Sequence, residues 1–319
     1  MTTRRDSCSL LEKCAFLLLV IAANSVTADQ ECDPLKCPGP LNYYKNLGCK
    51  PVYQNEGDCC AIRYDCDHLK ARSKDKCYVN GHEYSIGEML KEEHRNPCDL
   101  GCICRKGRDG IASFICAVVD CFHGPPDPTP NCYNKNTPNQ CCPGPRVCLD
   151  NIEDRPKCVK KDAVYYDGEY FKSDSDPDLN CYCQPGYKGE DVEPFCKKPN
   201  HSYCSPEFRN AYEIHKNCAP VFYSSQPPQT SCNLSTRCQN ANDTVIHNHD
   251  ESKSKSDEEE DESMMCKFGD LKMHLGDELN QATDYSSVCV KCLCEVPPVP
   301  TCQRLPDAEC DVTNHGPFN

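Results

Sequence analysis

Apolar positions are sparse along this chain, whose mean hydropathy is −0.70. One run stands out, residues 14–23 (CAFLLLVIAA), ten residues long. Arg4, Arg5 and Lys13 flank it with positive charge, and Val26 and Ala28 place small residues just before Asp29. This pattern predicts a signal peptide over residues 1–28, cleaved after Ala28. The run is far shorter than the ~20 residues a membrane span needs. No second stretch of spanning length follows, so the mature chain is expected to be secreted, with no membrane span.

The remaining apolar positions recur in a repeat. Cys77 opens CYVNGHEYSIGEML, Cys158 opens CVKKDAVYYDGEYF and Cys266 opens CKFGDLKMHLGDEL. A glycine falls ten residues after each cysteine (Gly87, Gly168, Gly276), followed by Glu88, Glu169 or Asp277. Three residues before each glycine stands Tyr84, Tyr165 or Met273, and three after it Leu90, Phe171 or Leu279. The pattern predicts strand, glycine turn and strand, with one large apolar side chain on either arm. Leu90, Phe171 and Leu279 are read as a mini-core for each hairpin. Tyr165, Tyr166, Tyr170 and Phe171 are candidate contact anchors.

Composition changes the picture from a globular core to a cross-linked scaffold. The chain has 32 cysteines in 319 residues, 26 prolines and no tryptophan. A cysteine content this high marks a disulfide framework, because small modules remove too little apolar surface from water to fold on that alone. Such bonds persist in an oxidising compartment. Cleavage removes Cys8 and Cys14 and leaves 30 cysteines, an even number. After each hairpin comes a tight cluster (Cys98, Cys102, Cys104; Cys181, Cys183; Cys289, Cys292, Cys294), then a spaced pair, then a proline-rich stretch with further cysteines. The chain therefore divides into a half-module in 29–66, full modules at 77–148 and 158–238, a linker at 239–265 and a half-module at 266–319. The four cysteine segments hold six, ten, eight and six cysteines, each an even number.

These residues resemble the von Willebrand factor type C domain, as found in chordin-like cysteine-rich proteins: a cysteine, a Tyr-x-x-Gly hairpin, a cysteine cluster, spaced cysteines, adjacent cysteines and a last cysteine. Residues 77–148 match cysteine for cysteine, with three residues rather than two between Cys98 and Cys102. Where the family often has tryptophan after the turn, Leu90, Phe171 and Leu279 stand instead. The resemblance implies a small disulfide-rich, mostly β fold. Each module joins a hairpin and short sheet to an irregular disulfide-braced half, and the modules follow one another like beads on a string. It also implies pairing of Cys77 with Cys104, Cys98 with Cys141, Cys102 with Cys116, Cys121 with Cys142 and Cys132 with Cys148. In the second module it implies Cys158 with Cys183, Cys181 with Cys196, Cys204 with Cys232 and Cys218 with Cys238. That module lacks both members of one family bond, so no thiol is orphaned. The half-modules carry over Cys37 with Cys60, Cys49 with Cys66, Cys266 with Cys294 and Cys292 with Cys302. Their leftovers are predicted to pair as Cys32 with Cys59 and Cys289 with Cys310.

Residues 239–265 contain no cysteine, glycine or proline and carry an acidic block at 257–262. Six of the net fourteen negative charges lie there, and such a run repels itself, so the segment is read as a disordered acidic linker. Its acidity argues against nucleic-acid or anionic-membrane binding. Ser256 is a candidate phosphorylation site, and the block a candidate attractor of basic partners or Ca²⁺. Sequons place candidate glycans on Asn200, Asn233 and Asn242. His247 and His249 are the one closely spaced histidine pair, and a solvated loop is the reading there. No metal, cofactor or catalytic constellation is expected. Esterase, metalloprotease and nucleotide-binding motifs are absent from the sequence, and the segments are too small to surround a substrate.

The resemblance implies an extracellular binding protein for growth factors of the bone morphogenetic protein and transforming growth factor-β class, or for matrix components. The competing readings are a pacifastin-like serine protease inhibitor, whose C-x3-C-x-C spacing is similar, and a passive component of matrix or secretions.

Overall fold

The computed structural model describes residues 32–121, 131–138, 140–174, 176–248, 261–306, 308–311 and 313. The expected signal peptide, Cys8, Cys14, His249 and Ser256 lie outside them, as does residue 257–260 of the acidic block. Among the described residues the fold is a series of short antiparallel hairpins and small sheets with a few one-turn helices. Fifteen disulfides brace it. They join the cysteines in the pairs given above, from Cys32–Cys59, Cys37–Cys60 and Cys49–Cys66 at the N-terminus to Cys266–Cys294, Cys289–Cys310 and Cys292–Cys302 at the end. The first module holds Cys77–Cys104, Cys98–Cys141, Cys102–Cys116, Cys121–Cys142 and Cys132–Cys148. The second holds Cys158–Cys183, Cys181–Cys196, Cys204–Cys232 and Cys218–Cys238.

Each repeat builds a tight hairpin and then a sheet. In the first, Lys76–Val79 pairs with His82–Ser85, with Cys77 opposite Tyr84. Asn80 and Gly81 both have positive φ, the geometry of a type I′ turn, which matches the twist of the flanking strands. The tight turn thus lies earlier than the sequence pattern predicts. Gly87, with φ +95°, instead turns the chain out of the hairpin and into a separate sheet. There Met89 bridges Ile103, and Ile103–Lys106 pairs with Ala112–Ile115. In the second repeat Lys157–Lys160 pairs with Ala163–Tyr166, and Tyr170–Lys172, Asn180–Tyr182 and Cys196–Lys197 form the sheet. In the third, Cys266–Phe268 pairs with Leu271–Met273, and the sheet runs through Glu278–Leu279, Val290–Leu293 and Thr301–Arg304.

The repeats do not hang as separate beads. The second sheet is covered from within its own module by Tyr165, Tyr187 and Phe195, but the first and third sheets and the N-terminal half-module have apolar faces that distant parts of the chain cover. Phe208, on the helix Pro206–Arg209 of the second module, packs into the first-module core of Val79, Tyr84, Leu90 and Ala112. The Arg72–Glu207 ion pair, 2.6 Å long and largely buried, joins the same two regions. In the N-terminal half-module, Tyr44 on the helix Leu41–Asn46 is fully buried, and its hydroxyl donates to Val296 O and Val299 O at 2.7 and 3.0 Å. The second and third repeats share one sheet. Ala219–Phe222 runs parallel to Thr301–Arg304, with Ser235–Arg237 outside it, giving six strands with Val245–Ile246 on the far edge.

That last strand corrects the reading of a disordered linker for residues 239–248, while residues 249–260 of that linker lie outside the described residues. Residues 239–248 are held by a buried ion pair that a count of charges does not reveal. Arg237, wholly buried, donates to Asp243 at 2.5 Å and to Asn280 O at 2.8 Å. Residues 261–265 are also placed, with Met265 buried.

Candidate interaction surfaces

The cysteines of each C-x-C pair decide which side chains face water. Side chains alternate along a strand, so when both cysteines point inward the residue between them points out. Cys102 and Cys104 are buried, and Ile103 between them sits on the outer face. Directly opposed residues share a face, so Met89, Ile103 and Ile115 form an apolar row across the first sheet. Met89 is 63% exposed and Ile115 49%. Arg105 and Lys91 flank the row, both exposed. Sequence reasoning did not single out these residues, yet the C-x-C spacing carried the signal.

The second sheet repeats the arrangement with aromatic side chains. Cys181 and Cys183 are fully buried, Tyr182 faces out between them, and Tyr170 stands opposite it with ring centroids 5.7 Å apart, edge to face. Tyr170 is 45% exposed. Tyr166 is also exposed, and Arg155 and Lys157 approach its ring at 5.7 and 5.4 Å, a cation–π arrangement. Phe171 is removed from the contact candidates. It is buried against Tyr165 and Tyr187, and Leu90 and Leu279 are buried likewise, so all three serve as mini-core. Tyr165 is half-buried over that core. In the third sheet the corresponding row is Glu278, Leu293 and Thr301, where Glu278 pairs with Lys291 at 2.9 Å.

Polar clasps fix these sheets relative to one another. His201, fully buried, lies 2.7 Å from Asp99 through Nε2, and the Asn96 side chain donates to His201 O. Burial alone would raise the Asp99 carboxyl, but the hydrogen bonds from His201 and the Asn96 N–H outweigh it and hold Asp99 below its usual range. Tyr133 donates to Asp167 at 2.8 Å, and its phenol is pushed up to about 12, by burial first and by that hydrogen bond second.

The candidate glycan sites differ in setting. Asn242 is exposed on the strap leading to Val245–Ile246, Asn233 is half-buried and donates to Ser235 O, and Asn200 donates to Arg95 O at 2.7 Å. His247, one of the noted histidine pair, lies 2.9 Å from the buried Asp277. Cysteine clusters with ligand-like spacing, such as Cys181 and Cys196 beside Asp191, are made of disulfide sulfurs and so offer no thiolate. A cavity of about 400 Å³ lies where the N-terminal half-module meets the second and third repeats, lined by Tyr43, Tyr64, Leu69, Ile214 and Met265 among others. No helix among the described residues is long and apolar enough to cross a membrane.

No family model matches the chain, and no solved structure matches it. Among curated proteins, 130 residues, 41% of this chain, are 30% identical to the von Willebrand factor C and EGF domain-containing protein of Mus musculus. The matched segment spans 11% of that relative's length. The fifteen disulfides and this likeness fit a cysteine-rich, type C-like protein in an extracellular setting.

Proposed function

We propose that this chain is a secreted binding protein, not an enzyme, that holds extracellular protein ligands on the outer faces of its first and second sheets. The supporting observation is the pair of solvent-facing rows, Met89–Ile103–Ile115 and Tyr170–Tyr182, each set on a rigid disulfide-braced sheet. Apolar and aromatic side chains held rigidly at a surface lose little entropy on binding and act as anchors. Dimeric growth factors of the bone morphogenetic protein and transforming growth factor-β class are the ligands that the family resemblance implies. Two faces on one chain suit such a ligand, because the second contact forms intramolecularly.

The test is surface-binding of the intact secreted protein to immobilised dimeric growth factors. Met89→Asp with Ile115→Asp should weaken capture by about 10- to 100-fold, the scale of losing a hot-spot anchor. Absence of capture at micromolar concentration by the unaltered protein overturns the growth-factor reading.

A further inference from the structure

The three repeats present the same sheet edge in different states. In the third, residues 244–248 lie along the edge strand: Ile246 opposite Glu278, Val245 opposite Leu279, and Asn280 N donating to Thr244 O at 3.1 Å. The Asn248 amide closes the strap on Gly276 O at 2.9 Å. In the second, the Asn136 amide makes the equivalent bond to Gly168 O at 3.1 Å. A Cβ added at Gly168 would stand 2.2 Å from Asn134 O, so the strap there touches the turn. In the first, Gly87 is exposed, and a Cβ added to it would meet nothing within 4 Å.

By this comparison we infer that the first-module edge, residues 87–91, is a docking edge for an extended segment of a partner protein, added as a strand. It rests on the binding-protein reading and says how one contact is made. The occupant's chemistry follows from the strap that fills the third edge. Val245 packs on the core beside Leu279, whose counterpart is Leu90, and Ile246 lies opposite Glu278, whose counterpart is Met89. A β-branched pair therefore suits positions opposite Leu90 and Met89, and an asparagine two residues on would reach Gly87 O. Met89 in place of Glu278 makes the outward position more apolar than in the filled copy. The inner bonds of the edge are already used: Leu90 N donates to Cys102 O, and Cys104 N to Glu88 O. In an antiparallel strand that alternation leaves the Met89 and Lys91 amides facing outward, where no strand among the described residues pairs with them.

A peptide of residues 242–248, Asn-Asp-Thr-Val-Ile-His-Asn, is the probe. Added to the intact protein, it should slow hydrogen exchange at the Met89 and Lys91 amides about tenfold at saturation. Lys91→Pro supplies the control. Lys91 has φ −67° and ψ 150°, which proline adopts without strain, while the outward N–H equivalent to that of Asn280 is lost. The variant should keep its thermal stability and bind the peptide about tenfold more weakly. Protection that appears elsewhere or not at all, or a Lys91→Pro variant that binds as the parent does, overturns the inference. Dimer capture without peptide protection overturns the edge alone. Peptide protection without dimer capture supports the edge and overturns the growth-factor reading.

Discussion

The first and third repeats start from the same pattern of cysteine, hairpin, glycine and C-x-C, yet one sheet stands open and the other is enclosed. The third gains Ala219–Phe222 on one edge and Val245–Ile246 on the other. The first has Phe208 beneath its apolar face but, among the described residues, no strand beyond Met89. The difference does not come from the disulfides, since Cys77–Cys104 and Cys102–Cys116 have direct counterparts in Cys266–Cys294 and Cys292–Cys302. It comes from side chains that bring remote backbone to the sheet. Cross-links set the frame of each module, and ordinary packing decides which surfaces remain for others.

The comparison is broken most severely at Arg237. Arg237→Ala leaves Asp243 buried without its cation and should cost about 5 kcal/mol, the upper end for such pairs because Asn280 O is abandoned too. Hydrogen exchange at the Glu278 and Asn280 amides should then rise to the level of Met89 and Lys91, making the third edge resemble the first. Phe208→Ala attacks the other side. It should destabilise the first module by about 3 kcal/mol in thermal unfolding, the lower end for a buried phenylalanine because the site lies between modules. Protection of the third sheet should remain unchanged.

Tyr44→Phe is smaller. It strips the hydroxyl from Val296 O, Val299 O and the Val299 N–H and should cost about 1–2 kcal/mol, read as faster exchange at the Val299 amide. The smallest effect is of pH. Asp99 is held below its usual range, so its contribution is complete above an unfolded carboxyl value of ~4. It is lost as pH falls through the lower folded value. Asp99→Asn should flatten the acid limb of the stability curve below about pH 4.

Much of this was legible in the sequence. The cysteine content and the hairpin repeat gave a disulfide-rich, mostly β fold, and Leu90, Phe171 and Leu279 were recognisable as core because each follows a turn at a fixed offset. The outward rows were legible in principle through Ile103 and Tyr182, each enclosed by two cysteines. What spacing could not reveal was the packing between modules. Phe208, Tyr44 and Val296 lie outside the repeated hairpin motif, and each packs against a different module from its own. The strap at 239–248 was misread for a related reason. Its polarity suggested a solvated linker, whereas Asp243 is neutralised by a buried arginine that precedes the segment.

The bond between Tyr44 and Val296 also bears on biosynthesis. The two residues are 252 positions apart, so at about 5–20 residues per second the hydroxyl waits roughly 10–50 s for its acceptors to leave the ribosome. During that interval the N-terminal half-module, although able to close its own three disulfides, carries an uncovered apolar face of Tyr43, Tyr44 and Leu47. Chains that stop short of residue 296 keep that face uncovered, which gives the cell's folding machinery a way to tell finished molecules from truncated ones.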